Sequence, residues 1–321
     1  MKYTCDCINS LFFDFNCVKC GCSNTYGMLY IVPFEGNNFD IEKVNSARAE
    51  IVNSFRAGIV PDKCRNCYML KEDKDGKIDE PLPKELDHLY ISHWYHCNCG
   101  CIYCCNRGVT KLKITPEPKK SDYYDLLPTI KYLCQEGYVG ENTRITTIGG
   151  EPTVLSEFDE IMTELTKYTK SNIIILSSGI QYSQAIYDTL AKGNTELIIT
   201  IDAGNPVLYK KIKRVDAFYQ VLENVKKYLK ANPKNKNSVY FKYILIKGLN
   251  DKKENLEECI KIAKETGINK MYLAIDYNCQ NIGKEIPEQW YDLYDYFLSV
   301  KDMEMYVYDY CQQILDRKKI F

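Results

Sequence analysis

The sequence lacks an excess of either charge: 42 Lys and Arg stand against 43 Asp and Glu, for a formal net charge of −1. That balance removes the usual electrostatic reason for a nucleic-acid or anionic-membrane partner. Also missing is any apolar run long enough to span a bilayer. The first residues, MKYTCDCINSLFFDFNC, have none of the charged, apolar and small-residue regions of a secretory signal. These absences lead to the expectation of a soluble, cytoplasmic protein with neither nucleic acid nor membrane among its partners.

Cysteine, by contrast, is abundant. Sixteen cysteines occur in 321 residues, a length that suits one large domain or a large domain with a small appendage. Disulfides are rare in a reducing cytoplasm. The distribution is also uneven: seven cysteines fall in residues 5–67, five in 97–105, and four are scattered later. Such clustering points to metal or iron–sulfur ligation.

Three zones follow one another. Residues 1–70 are cysteine-rich, with strand-like runs at Ser10–Phe15 and Met28–Pro33 and a helical stretch around Ile41–Phe55. Residues 71–87 are charged, carry Pro and Gly, and read as a linker. From residue 88 strands and amphipathic helices alternate. The spacing predicts strands at His88–Trp94, Arg144–Ile148, Asn172–Ser177, Glu196–Ile201, Val239–Ile246 and Lys270–Ile275. It predicts helices over 121–136, 156–170, 183–192, 216–231 and 252–266, with caps at Ser156, Ser183, Asp216 and Asp251 and a stop at Gly267. Six βα repeats imply an α/β fold with a parallel sheet. Periodicity leaves open whether it curls into a partial barrel or opens as a doubly wound sheet, and no shorter internal repeat is evident.

Directly after the first of these strands comes His96-Cys97-Asn98-Cys99-Gly100-Cys101-Ile102-Tyr103-Cys104-Cys105. Cys97, Cys101 and Cys104 have the spacing C-x3-C-x2-C, which can wrap a cubane and bind three of its irons. A structural [4Fe–4S] cluster normally has four protein ligands, so three in one loop point to catalysis at the open iron. The competing reading is a zinc site made of Cys99, Cys101, Cys104 and Cys105.

The C-x3-C-x2-C spacing, with aromatic Tyr103 just before the third cysteine, resembles the signature of the radical S-adenosylmethionine (SAM) superfamily. The resemblance implies a [4Fe–4S] cluster on Cys97, Cys101 and Cys104, SAM bound to it, and a Tyr103 segment packed against the adenine. Gly149-Gly150-Glu151-Pro152, at the end of the next strand, resembles the family's segment for the methionyl amine. Its glycines let backbone approach a ligand and its carboxylate can accept from an ammonium. Ser177-Ser178-Gly179 stands where relatives often carry Thr-Asn-Gly and contact the SAM ribose or carboxylate, which marks Ser178. Thr200-Ile201-Asp202-Ala203-Gly204 resembles the family's Ser-x-Asp element, which marks Asp202. Arg214 resembles an arginine that meets the SAM carboxylate in some relatives; its alternative is a solvent-facing charge at a helix entry. Lys242 either points inward to an anionic partner or snorkels outward. The backbone near Ala274 and Ile275 either meets adenine or is core.

The resemblance covers about residues 85–280 and implies a partial (β/α)6, TIM-like barrel with ligands at the C-terminal strand ends. The expected division is an auxiliary-cluster domain and linker at 1–84, the barrel at 85–286, and a helical and strand extension at 287–321. Phe55–Cys67, with its C-x2-C at Cys64 and Cys67, resembles part of a SPASM or twitch domain. That implies an auxiliary [4Fe–4S] cluster with one ligand from Cys5 or Cys7, another from Cys20 or Cys22, and a hairpin at Leu11–Phe15. The expected set is Cys5, Cys22, Cys64 and Cys67; structural zinc is the alternative. Cys134, Cys259, Cys279 and Cys311 read as helix or core thiols.

By resemblance the chain is an enzyme that cleaves SAM reductively and abstracts a substrate hydrogen, with an electron donor such as flavodoxin or ferredoxin. The substrate expected is a peptide, and the alternative is a small metabolite or sugar intermediate. A non-enzymatic iron–sulfur or zinc scaffold explains the cysteines but not the Gly-Gly-Glu-Pro segment. No individual catalytic side chain is singled out.

Overall fold

Short apolar strands, several of them buried along both faces, are what a parallel sheet covered by helices requires. The structure, a computed structural model, describes residues 1–14, 17–20, 32–33, 39–65, 67, 69–104, 125–276 and 286–315. Among these, no helix is long and apolar enough to cross a membrane. The chain divides into two compact units.

The first unit comprises Met1–Tyr95, Pro118–Gly150 and Glu157–Ile173. It contains β1 (Tyr3–Cys5), β2 (Ser10–Asp14), β3 (Cys17–Cys20), β4 (Val32–Pro33), α1 (Ile41–Arg56), β5 (Leu70–Glu72), β6 (His88–Ile91), α2 (Leu127–Gln135), β7 (Arg144–Thr147) and α3 (Phe158–Tyr168). β2 and β3 form the expected antiparallel hairpin, with Leu11 opposite Cys20 and Asp14 opposite Cys17. On its other side β2 runs parallel to β6, which in turn runs parallel to β7. Leu11, Phe13, Leu89, Ile91 and Ile145 are buried in this layer. Part of the expected linker is structured: β5 pairs antiparallel with β1. The Arg56 guanidinium also donates to the carbonyls of Ile78, Asp79 and Glu80.

The second unit comprises His96–Glu117, Glu151–Ser156 and Ile174–Phe321. Its elements are β8 (Ile173–Ser177, whose first residue belongs to the other unit), α4 (Gln184–Lys192), β9 (Thr195–Thr200), α5 (Pro206–Lys213), α6 (Phe218–Tyr228), β10 (Val239–Leu245), α7 (Lys253–Thr266), β11 (Lys270–Ile275), α8 (Glu288–Ser299), β12 (Glu304–Val307) and α9 (Asp309–Leu315). The strands follow the order β12-β11-β10-β9-β8, and β9 to β12 pair in parallel. One row of side chains, including Leu197, Ile199, Phe241, Tyr243, Met271 and Leu273, is fully buried. The alternate row carries Glu196, Thr200, Lys242, Lys270 and Tyr272.

The strands from His88 onward match the expectation within three residues, the largest difference being at β6, which ends at Ile91 rather than Trp94. Of the expected Met28–Pro33 strand only Val32–Pro33 lies among the described residues. Caps differ more. Ser183 caps α4 through a bond from the Ile186 amide (3.2 Å), and Gly267 ends α7 in the left-handed region at φ 96°. Where Ser156, Asp216 and Asp251 were expected as caps, the helices begin one residue later, at Glu157, Ala217 and Lys252, without a side-chain cap. Asp251 instead holds the turn before α7 by accepting from the Gly248 amide and the Trp290 indole. Helix α5 was not anticipated. It starts at Asn205-Pro206, with Asn205 capping the Leu208 amide (2.9 Å) and proline in the first turn, a pairing that marks helix starts.

Candidate cluster and cofactor site

The loop from His96 to Cys104 has no regular structure of its own, so its backbone groups must find partners elsewhere. They find them within the second unit. The His96 carbonyl accepts from the Glu151 amide (2.7 Å). The amides of Gly100 and Ile102 donate to the carbonyls of Lys213 (2.8 Å) and Ile212 (3.1 Å). Those two carbonyls close α5, where the last turn of a helix leaves acceptors unfilled. Cys101 therefore lies between two backbone anchors.

Side chains add to this seating. The Ser178 hydroxyl, just after β8, donates to Asn98 Oδ1 in the loop (2.9 Å). The Tyr103 hydroxyl donates to Asp202 Oδ2 (2.5 Å), and Lys213 Nζ lies 2.6 Å from the same oxygen and 2.7 Å from the phenol. Asp202 and Lys213 form an ion pair with side chains 0% and 3% exposed. A pair so buried holds only when further hydrogen bonds satisfy it. Here Asp202 Oδ1 accepts from the Ile244 amide (2.8 Å), and the Asp202 carbonyl accepts from Asn250 (3.0 Å). Burial opposes charge on Lys213, but Asp202 outweighs it and holds the ammonium protonated. Burial raises the Tyr103 phenol, and the Asp202 carboxylate pushes the same way.

Glu151 is buried and receives several donors. Its Oε1 accepts from the Thr153 amide (3.2 Å), the Thr153 hydroxyl (2.7 Å) and the Ser177 hydroxyl (2.7 Å). Its Oε2 accepts from the Ser178 amide (2.5 Å). The carboxylate thus ties the 152–154 turn to the end of β8, a positioning task that the sequence did not disclose.

The loop thiols differ from one another. The buried Cys99 thiol hydrogen-bonds toward Cys101 and Cys97, which raises its pKa well above the usual thiol range. The bond from Cys99 lowers Cys101 to about 6, and the Lys213 charge acts in the same direction. Metal ligation uses thiolates, and the same hydrogen bond that favours the Cys101 thiolate disfavours that of Cys99. Among the described residues no three Cys, His, Asp or Glu side chains gather as a set for one metal ion. Cluster ligands have a different requirement, since each of three thiolates takes its own iron corner. Cys97, Cys101 and Cys104, all free and half-buried in one loop, offer three thiols toward that requirement. Cys105 lies outside the described residues.

In the first unit, Gly149 adopts φ 120°, and a Cβ there would meet Ser92 Oγ at 2.9 Å and the Trp94 carbonyl at 3.0 Å. Only glycine suits both constraints. The Gly150 amide donates to the Trp94 carbonyl (3.1 Å). Among the N-terminal cysteines, Cys5 ends β1 opposite Leu70, whose amide donates to the Cys67 carbonyl (3.1 Å). The Cys67 amide donates to the Cys64 carbonyl, and the Cys7 amide to the Cys5 sulfur (3.4 Å). A hydrogen bond from the Cys7 thiol lowers Cys5 to about 7. Cys22 and Cys279 lie outside the described residues, and of Cys17 and Cys20 only the backbone is described.

Glu151, Ser178, Asp202 and Tyr103 are thus brought together around the cluster loop. Arg214 is not: it is exposed, in the left-handed region at the end of α5 (φ 59°). The buried cation of that turn is Lys213, which no sequence signal separated from Lys210, Lys211 and Arg214. Lys242 has its ammonium 4.8 Å from the Tyr308 ring centre.

The pattern that defines the radical SAM superfamily matches residues 91–261, just over half of the chain. The chain belongs to the radical SAM superfamily. That membership implies a [4Fe–4S] cluster and SAM. The GTP 3′,8-cyclase of Haemophilus influenzae (strain PittGG) is 22% identical over 207 residues, which span 64% of this chain and 58% of the cyclase. The GTP 3′,8-cyclase of Clostridium acetobutylicum is 26% identical over 194 residues, 60% of this chain and 57% of that protein. The chain therefore spans little more than half the length of these relatives. Streptococcus suis SuiB bound to precursor peptide SuiA is similar in structure, with a TM-score of 0.52, 14% identity, and coverage of 87% of this chain and 58% of SuiB. That likeness concerns the fold, and it agrees with the α/β, partial (β/α)6 class expected from the sequence.

Proposed function

We propose that this radical SAM protein cleaves SAM reductively and abstracts a hydrogen atom from a peptide substrate. The observation that carries the reading is the seating of the Cys97–Cys104 loop on α5, β8 and Asp202. Cys97, Cys101 and Cys104 would hold the cluster, and Tyr103, Gly149, Gly150, Glu151 and Ser178 would serve SAM. When bound, the cluster supplies one electron to SAM, which yields methionine and a 5′-deoxyadenosyl radical. The protein's part is to fix the loop, orient SAM and exclude water and oxygen. Asp202 serves this reading through Tyr103, and an exposed Arg214 is the weakest member of the expected set.

Residues 1–84 would form the auxiliary domain, 85–286 the core and 287–321 its extension. Within the first, Cys5, Cys64 and Cys67 would share an auxiliary [4Fe–4S] cluster with Cys22, and a flavodoxin or ferredoxin would deliver electrons. The peptide reading rests on the resemblance of Phe55–Cys67 to SPASM domains and on the fold likeness to SuiB. The similarity to GTP cyclases favours a second reading, a small-molecule substrate.

Anaerobically reconstituted, reduced protein should form 5′-deoxyadenosine from SAM, and replacing Cys97, Cys101 and Cys104 together by Ala should abolish it. Continued cleavage by the triple variant would overturn the reading. To separate the substrates, 5′-deoxyadenosine formation is followed with added GTP and with short peptides encoded beside the gene. Stimulation by a peptide supports the first reading, and stimulation by GTP alone replaces it with the second.

A further inference from the structure

Lys213 is a buried lysine on a helix whose other lysines face solvent, and the reading above gives it no task. Its ammonium touches two groups, the Asp202 carboxylate at 2.6 Å and the Tyr103 phenol at 2.7 Å. Its carbonyl accepts from Gly100, and that of its neighbour Ile212 accepts from Ile102. One residue thus grips the cluster loop by both main chain and side chain, on either side of Cys101. Asp202 is equally constrained. It sits at φ 58°, a region that costs most side chains energy and that Asp adopts more readily than most. Bonds from Ile244, Asn250, Lys213 and Tyr103 hold it there.

We infer that Lys213 and Asp202 are positioning residues that lock the Tyr103 ring and the Gly100–Cys104 backbone in the conformation the cluster and SAM require. The inference rests on the function proposed above, because it gives the lock a purpose. Its geometry can be tested apart from that function. The hydroxyl of Tyr103 is the latch: the ring could pack against a cofactor without it, yet here it is spent on a buried carboxylate. An ammonium beside that carboxylate lets the phenol donate its proton while the pair stays neutral overall.

The test uses the full-length chain with Tyr103→Phe, Lys213→Met, Lys213→Arg, and Lys213→Met combined with Asp202→Asn, which removes both charges together. Hydrogen exchange of the peptide containing residues 98–104 is measured first, without added iron. Exchange should quicken about tenfold or more in Lys213→Met and in the double variant, as expected when a local anchor is lost. Exchange in the strands β10 and β11 should stay unchanged. Lys213→Arg should recover much of the protection. In reconstituted protein, Tyr103→Phe should keep its iron but bind SAM about tenfold more weakly, and adding Lys213→Met should weaken it little further, because both act through one latch. Unchanged exchange in the double variant overturns the lock. SAM binding by Tyr103→Phe equal to wild type overturns the latch. If wild-type protein neither holds a cluster nor binds SAM while the exchange results hold, the proposed function fails and the lock stands as structural only.

Discussion

Glu151 shows how a carboxylate read as part of a motif can have a second, unforeseen task. Read as a sequence, Gly149-Gly150-Glu151-Pro152 implies a carboxylate that faces the ammonium of SAM. In the folded chain it also accepts from Thr153, Ser177 and Ser178. Glu151→Gln replaces one acceptor oxygen with an NH2 donor that must face existing donors. The variant should lose about 1–3 kcal/mol of stability before any ligand is added, as for a buried hydrogen bond left unmade. Urea unfolding of the iron-free protein measures this, and an unchanged midpoint would assign the carboxylate to ligand binding alone. Ser178 and Asp202 stood out in the sequence because they follow predicted strand ends in an order that resembles the family's, and the fold places both beside the 96–104 loop. Lys213 was not, because burial separates it from the lysines beside it, and burial is decided by the cluster loop, which is distant in sequence.

Among the elements, the strands from His88 onward were more legible than the helix caps, of which Ser183 is as expected and Ser156, Asp216 and Asp251 are not. A buried strand announces itself as a short apolar run between turn residues, a signal that several residues share. A cap depends on one side chain, and Ser156, Asp216 and Asp251 compete with turn geometry for that place. The eight-residue α5 offers too short a stripe to stand out, with only Tyr209, Ile212 and Lys213 buried. β6 carries a testable consequence of its own. His88 is buried there with Nε2 2.8 Å from Thr146 Oγ1 and Tyr90 stacked on its ring. Burial, helped by the charge of Arg144 across the strand pair, lowers its pKa from 6.5 to about 4. Between those values the unfolded chain binds a proton that the folded chain refuses, so stability rises with pH through this window. On acidification from pH 7 to pH 4 the group should remove on the order of 2 kcal/mol. His88→Gln, which keeps a hydrogen-bonding side chain but cannot titrate, should flatten that slope. Equal slopes for both proteins would show that His88 does not carry it.

At the level of the whole molecule, the α/β class and the superfamily were legible because the two strongest motifs fall at successive strand ends. What stayed hidden is long-range pairing. Nothing local in Ser10–Asp14 tells that it will lie parallel to His88–Ile91, because that partner lies more than seventy residues away. Nor does the charged stretch after Leu70 announce a strand that pairs with β1. The central claim concerns the three-cysteine loop, and electron paramagnetic resonance tests it most directly. Anaerobically reconstituted protein, reduced by one electron, is measured with and without SAM, beside the variant with Cys97, Cys101 and Cys104 replaced by Ala. A [4Fe–4S] signal that SAM perturbs in the wild type, and that is absent from the variant, is the predicted result. A signal indifferent to SAM, or one that SAM still perturbs in the variant, would contradict the account.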